Sequence, residues 1–127
     1  FSMQANFVRM RGLTPFAFDK QRCFSNNSGH IHRMRFDWDP LKNLSNQEKH
    51  GISFELAQTA FDDPDAIVAL DAAHSGNLEL RWWLLGKVKG KVLTVRYTHR
   101  PNGVIRIFGA AWWREGKKRY EEANGIT

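Results

Sequence analysis

A chain of 127 residues that is 42% hydrophobic and 25% charged has enough apolar mass for one packed domain and too much for wholesale disorder. Its single cysteine, Cys23, excludes an internal disulfide and a thiolate zinc cage. No apolar run approaches the roughly 20 residues that span a bilayer, and a chain without disulfides suits the reducing cytoplasm. The net charge of +6 is polarised: residues 34–80 carry nine acids against three bases, whereas residues 81–119 carry eleven bases against Glu115.

Residues 1–33 show no sustained helix or strand period, and Ser25-Asn26-Asn27-Ser28-Gly29 reads as a linker. We expect this segment to be a poorly ordered N-terminal extension, with residues 34–127 forming the domain. His30 and His32 lack a third ligand, so no metal site is expected there, and no cofactor is expected for the chain.

From Met34 the pattern becomes regular. Arg35–Trp38 alternates as a short strand. Asp39-Pro40 starts a helix, with Asp as N-cap and Pro in the first turn, and Gly51 stops it after His50. Ser53 caps a second helix, Phe54 to Phe61, which Asp62-Asp63-Pro64 ends. Ala66–Leu70, Leu78–Lys87, Lys91–His99 and Val104–Ala110 read as strands, the last three joined by short turns into an antiparallel meander. A closing helix from about Trp112 to Ala123 pairs Glu115 with Arg119 and Lys118 with Glu122 at i,i+4. The order β-α-α-β-β-β-β-α is an α+β plan: an antiparallel sheet with helices against one face.

Alternation sorts the strand residues by face. Leu80, Trp82 and Leu84, with Leu93, Val95, Tyr97, Ile105 and Ile107, should meet the helices. The other face carries Glu79, Arg81 and Trp83, then Thr94, Arg96 and Thr98, then Arg106 and Phe108. Three strands thus put arginine on one side of the sheet.

The run Phe36-Asp37-Trp38-Asp39-Pro40, Lys42-Asn43, Asn46, Glu48-Lys49-His50-Gly51-Ile52-Ser53-Phe54-Glu55-Leu56-Ala57 and Phe61-Asp62-Asp63-Pro64 resembles the BrnT family of type II toxins. So do Glu79-Leu80-Arg81, Gly86, Val95-Arg96-Tyr97-Thr98-His99-Arg100, Ile105-Arg106-Ile107 and Tyr120-Glu121. The resemblance covers about residues 34–123. It implies a small RelE-like ribonuclease fold, an endoribonuclease that cleaves mRNA and halts translation, and a BrnA-like ribbon-helix-helix antitoxin through which operator DNA is bound. One departure stands out. After Ile-Arg-Ile the family usually reads Ser-Ala-Arg-Lys-Ala, whereas this chain has Gly109-Ala110-Ala111-Trp112-Trp113, placing Ala111 at the family's arginine.

Metal-free RNA cleavage needs a base for the ribose 2′-hydroxyl, cations on the phosphorane-like oxygens and an acid for the leaving oxygen. Arg81, Arg100 and Arg106 are the candidate cations, because guanidinium donates in a planar fork and stays charged. Glu79 and His99 are the candidate base and acid. Arg96, Trp83, Phe108, Arg114, Lys117 and Lys118 are candidates for holding RNA by charge and stacking. Two other readings remain open: a catalytically decayed RNA- or ribosome-binding module, consistent with Ala111, and a DNA-binding regulator, for which no helix-turn-helix is legible.

Overall fold

The computed structural model describes residues 6–10, 34–76 and 79–125. His30, His32 and the Ser25–Gly29 run lie outside the described residues. The long elements follow the order β1 (Val8–Arg9), β2 (Arg35–Asp37), α1 (Pro40–His50), α2 (Phe54–Ala57), β3 (Ile67–Leu70), β4 (Arg81–Val88), β5 (Lys91–Arg100), β6 (Val104–Ala111) and α3 (Arg114–Ala123). The strands form one sheet in the order β1-β3-β4-β5-β6-β2.

The two N-terminal helices start and stop where the capping residues dictate. Asp39 accepts a hydrogen bond from the Leu41 amide at 2.9 Å, and Pro40 opens α1. Gly51 closes it at φ 69°, a left-handed conformation that costs glycine little. Ser53 accepts from the Leu56 amide at 3.0 Å and starts α2. That second helix is shorter than expected: after Ala57 the chain tightens into a 3-10 turn over Gln58–Asp62. Gly86 shows what the tightened turn packs against, because a Cβ there would stand 2.4 Å from the Ala60 carbonyl oxygen.

Two buried asparagines lock these helices down. Asn46 donates to the carbonyls of Ile52 and Ala110, both at 2.9 Å, and accepts from the Ala110 amide at 3.2 Å. Asn43 accepts from the Phe54 amide at 2.8 Å and donates to Glu55 at 2.9 Å. Asn46 thus pairs backbone groups between α1 and β6, and Asn43 pairs the first amide of α2, which would otherwise be buried unsatisfied.

The β4-β5-β6 meander is antiparallel, as its short links require. The sheet as a whole is mixed, which corrects the expectation of an antiparallel one: β2 pairs parallel to β6, Phe36 opposite Ile105. The meander leaves β6 with a free edge, and the chain reaches that edge before it crosses over through α1 and α2. At the far edge β1 pairs antiparallel to β3, Val8 opposite Val68. Strand β1 falls within the segment expected to be an extension; Met10 is buried in the core, and Arg9 lies 3.5 Å from Asp65.

Helices cover both faces of the sheet, a second correction. One core contains Ile52, Phe54 and Phe61 from the α1–α2 side with Leu84, Leu93, Val95, Tyr97 and Ile107 from the strands. A smaller cluster on the other face contains Ile67, Trp83, Leu85, Val92 and Tyr120, with Phe7 and Trp113 packed against it. The odd positions of β4 are apolar at Trp83 and Leu85, so α3 buries its own face there. Gly116 permits the close approach, since a Cβ at that position would lie 2.3 Å from the Thr94 hydroxyl. Tyr120 anchors the helix by donating to Asp63 at 2.7 Å, and Asp63 also accepts from the Lys87 amide. Leu80, expected in the core, is instead exposed just before β4.

Candidate functional site

Helix α3 covers only one end of its sheet face. The other end carries charged side chains from three neighbouring strands. Arg81 on β4 stands opposite Thr98 on β5, and Thr98 stands opposite Arg106 on β6. A register shift at Arg96/Tyr97 makes Arg96 pair with Gly109 and leaves Phe108 as the additional residue on β6. A bulge of this kind re-aims a side chain. Here it sets the Phe108 ring close to two cations, with the Arg81 guanidinium carbon 4.7 Å and that of Arg96 5.2 Å from its centroid.

Each arginine also meets a carboxylate. Glu79 holds Arg81 at 3.0 Å and Arg100 at 3.2 Å, one through each oxygen. Asp37 on β2 holds Arg106 at 3.3 Å. Asp71 lies 3.7 Å from Arg96. Four guanidiniums therefore share three carboxylates, which leaves the cluster net positive. Burial pulls the pKa of Arg96 down from its ordinary value and the charge of Arg81 adds to this, while Asp71 opposes both. The Arg96 Nε is buried and makes no hydrogen bond.

Asp71 is the least exposed acid of the cluster, at 5%. Burial pushes its carboxyl pKa upward. The His74 hydrogen bond, the neighbouring Trp83 indole and the charge of Arg96 outweigh that and hold it below the usual carboxylate range. Trp83 lies beneath the site at 4% exposure, its ring 6.1 Å from Trp113 and 6.4 Å from Phe7.

The structure thus brings together Arg81, Arg96, Arg100, Glu79 and Phe108, with Arg106 and Asp37 at the β2 edge. It does not bring His99 to them. His99 shares the parity of Tyr97 and packs edge-on against Tyr97 and Trp82 on the opposite face, at 5.6 and 6.1 Å. Trp83 presents no open ring for stacking. Arg114, Lys117 and Lys118 are exposed on α3. Ala111, at the family's arginine position, is 2% exposed opposite Thr94. Asp71 and His74 are not among the residues that the sequence singles out; the available signal is an acid followed by histidine three residues on. Among the described residues no group of three or more His, Cys, Asp or Glu side chains is placed to hold a metal ion.

A family model described as the ribonuclease toxin BrnT of type II toxin-antitoxin systems matches residues 38–116. The matched stretch contains Asp71, His74, Glu79 and all four arginines of the cluster. No curated protein matches the chain.

Proposed function

Because the chain belongs to the BrnT family of ribonuclease toxins of type II toxin-antitoxin systems, we propose that its arginine face binds mRNA and cleaves it without a metal, halting translation. The observation that carries this reading is the Arg81–Phe108–Arg96 stack. Two cations lie beside one aromatic ring on an open sheet face. That arrangement suits a phosphodiester with a neighbouring base, the cations taking the phosphate oxygens and the ring taking the base. Arg81 and Arg96 contact the scissile phosphate in this reading, and Arg100 and Arg106 contact its neighbours. Glu79 orients Arg81 and Arg100 rather than acting as the base, since both its oxygens are engaged.

Attack of the 2′-oxygen on phosphorus forms one P–O bond and breaks the bond to the 5′-oxygen. The products are a 2′,3′-cyclic phosphate and a 5′-hydroxyl. Fixed guanidiniums act here because negative charge on the phosphoryl oxygens grows in the transition state.

Membership of a type II family implies an antitoxin partner. We assign that partner as a BrnA-like ribbon-helix-helix protein, covering the arginine face and alone contacting operator DNA. A RelE-like fold and action in the cytoplasm belong to the same proposal. Among the described residues no helix is long and apolar enough to cross a membrane.

Induction in a bacterial host, with growth and mRNA integrity followed together, tests the reading. Growth arrest with loss of mRNA is expected, and co-expression of the antitoxin should reverse it. Normal growth with intact mRNA contradicts it. A decayed RNA- or ribosome-binding module is the second reading, favoured by the buried Ala111; RNA binding without cleavage would identify it.

A further inference from the structure

The arginine face supplies cations but leaves the proton transfer unassigned. His74 ends the 3-10 turn Ala72–His74, which follows β3 and borders this face. Its Nδ1 lies 2.9 and 3.1 Å from the two carboxylate oxygens of Asp71. A deprotonated carboxylate only accepts hydrogen bonds, so Nδ1 carries the hydrogen and the neutral ring keeps its lone pair on Nε2. That nitrogen has no partner among the described residues, and the side chain is 49% exposed.

The pair is not needed to close the turn. The His74 amide donates to the Asp71 carbonyl at 3.2 Å, and the Ser75 hydroxyl donates to the same carbonyl at 2.8 Å. The carboxylate has a further neighbour, because Arg96 approaches the same Oδ2 that His74 engages. The imidazole and a phosphate-binding guanidinium therefore flank one buried oxygen. The charged groups around the ring are Asp71 on its own segment and Arg96 from β5, with Arg81 from β4 across the Phe108 ring.

We propose that His74 is the general base of RNA cleavage and Asp71 its positioning residue, an inference that rests on the ribonuclease reading above. Nε2 takes the proton of the ribose 2′-hydroxyl as the 2′-oxygen bonds to phosphorus. Asp71 stabilises the imidazolium so formed. The bond to the 5′-oxygen breaks, that oxygen takes a proton from water, and the imidazolium returns its own proton to solvent. Arg96 thereby couples phosphate binding to the carboxylate that sets the ring.

Single-turnover cleavage of a single-stranded RNA between pH 5 and 9, by the full chain and its variants, tests this. Wild-type activity should rise with pH through a single limb. His74→Gln should lose that limb and about a hundredfold in rate while keeping RNA affinity. Added imidazole should restore cleavage to His74→Gly, which a turn-stabilising role would not allow. Asp71→Asn should slow cleavage and move the limb to lower pH, since the imidazolium loses its counter-charge; circular dichroism checks its fold. Wild-type rate and pH limb in His74→Gln overturn the dyad while leaving the ribonuclease reading intact. Absence of cleavage by the wild-type chain itself overturns that reading and the dyad with it.

Discussion

Phe7 stands with its ring 6.4 Å from that of Trp83, so a residue of the N-terminal segment packs on the indole that lies beneath the arginine face. The contact spans the sheet edge: β1 pairs with β3, Phe7 closes the α3 side, and Met10 enters the core on the α1–α2 side.

The segment should therefore contribute to stability. Met10→Ala is expected to cost about 2–3 kcal/mol by the loss of a buried side chain and the cavity it leaves. Phe7→Ala, half-buried, should cost less and should also loosen Trp83. A chain beginning at Met34 should melt below the full one. Thermal and urea denaturation of the three proteins measures this, and an unchanged midpoint in all three would show that the docking is energetically idle.

Asn46 makes three hydrogen bonds to backbone atoms between α1 and β6. Asn46→Leu keeps volume but strands the Ala110 amide and two carbonyls. We expect a loss on the order of 3 kcal/mol, since each abandoned buried polar group costs about 1–3 kcal/mol. A denaturation midpoint near wild type would mean that the backbone finds other partners.

The two close-packed glycines should differ. At Gly86 the obstacle to a Cβ is backbone, the Ala60 carbonyl at 2.4 Å; at Gly116 it is the Thr94 side chain at 2.3 Å, which can rotate. Gly86→Ala should therefore be the more damaging, by about 2 kcal/mol or more. Equal stability of the two variants would contradict this.

Asp71 sets a direction for acid stability. Its folded pKa lies below the unfolded value of 3.8. Its contribution is fully present above that value and is lost as pH falls through the folded pKa. The unfolding free energy should drop more steeply between pH 5 and 2.5 in wild type than in Asp71→Asn. Parallel curves would show that the carboxylate contributes nothing.

Much of the architecture was legible because local chemistry dictated it. Asp39, Pro40, Gly51 and Ser53 punctuate the helices without reference to the rest of the fold, and strand parity placed Arg81, Arg96, Arg106 and Phe108 on one face. The parallel β2–β6 pairing was not legible, because it joins segments far apart in sequence and leaves no periodic trace. Nor was α3's position: Trp83 and Leu85 have the parity of the arginines, and only the packed helix distinguishes a covered half of that face from an open one. His99 was displaced for the converse reason, since strand parity continues through it from Tyr97. The Asp71–His74 pair was hidden because side chains three apart meet only if the intervening backbone turns.

The measurement closest to the central claim is cleavage of a defined RNA by the purified chain in excess EDTA, with product termini mapped, beside the Arg81→Ala/Arg96→Ala double variant. Wild-type cleavage should leave 2′,3′-cyclic phosphate and 5′-hydroxyl ends. The double variant should be folded and slower by at least roughly a hundredfold, the size of effect seen when one transition-state donor is lost. Cleavage by the double variant at the wild-type rate, or by the wild type only when divalent metal is supplied, would contradict it.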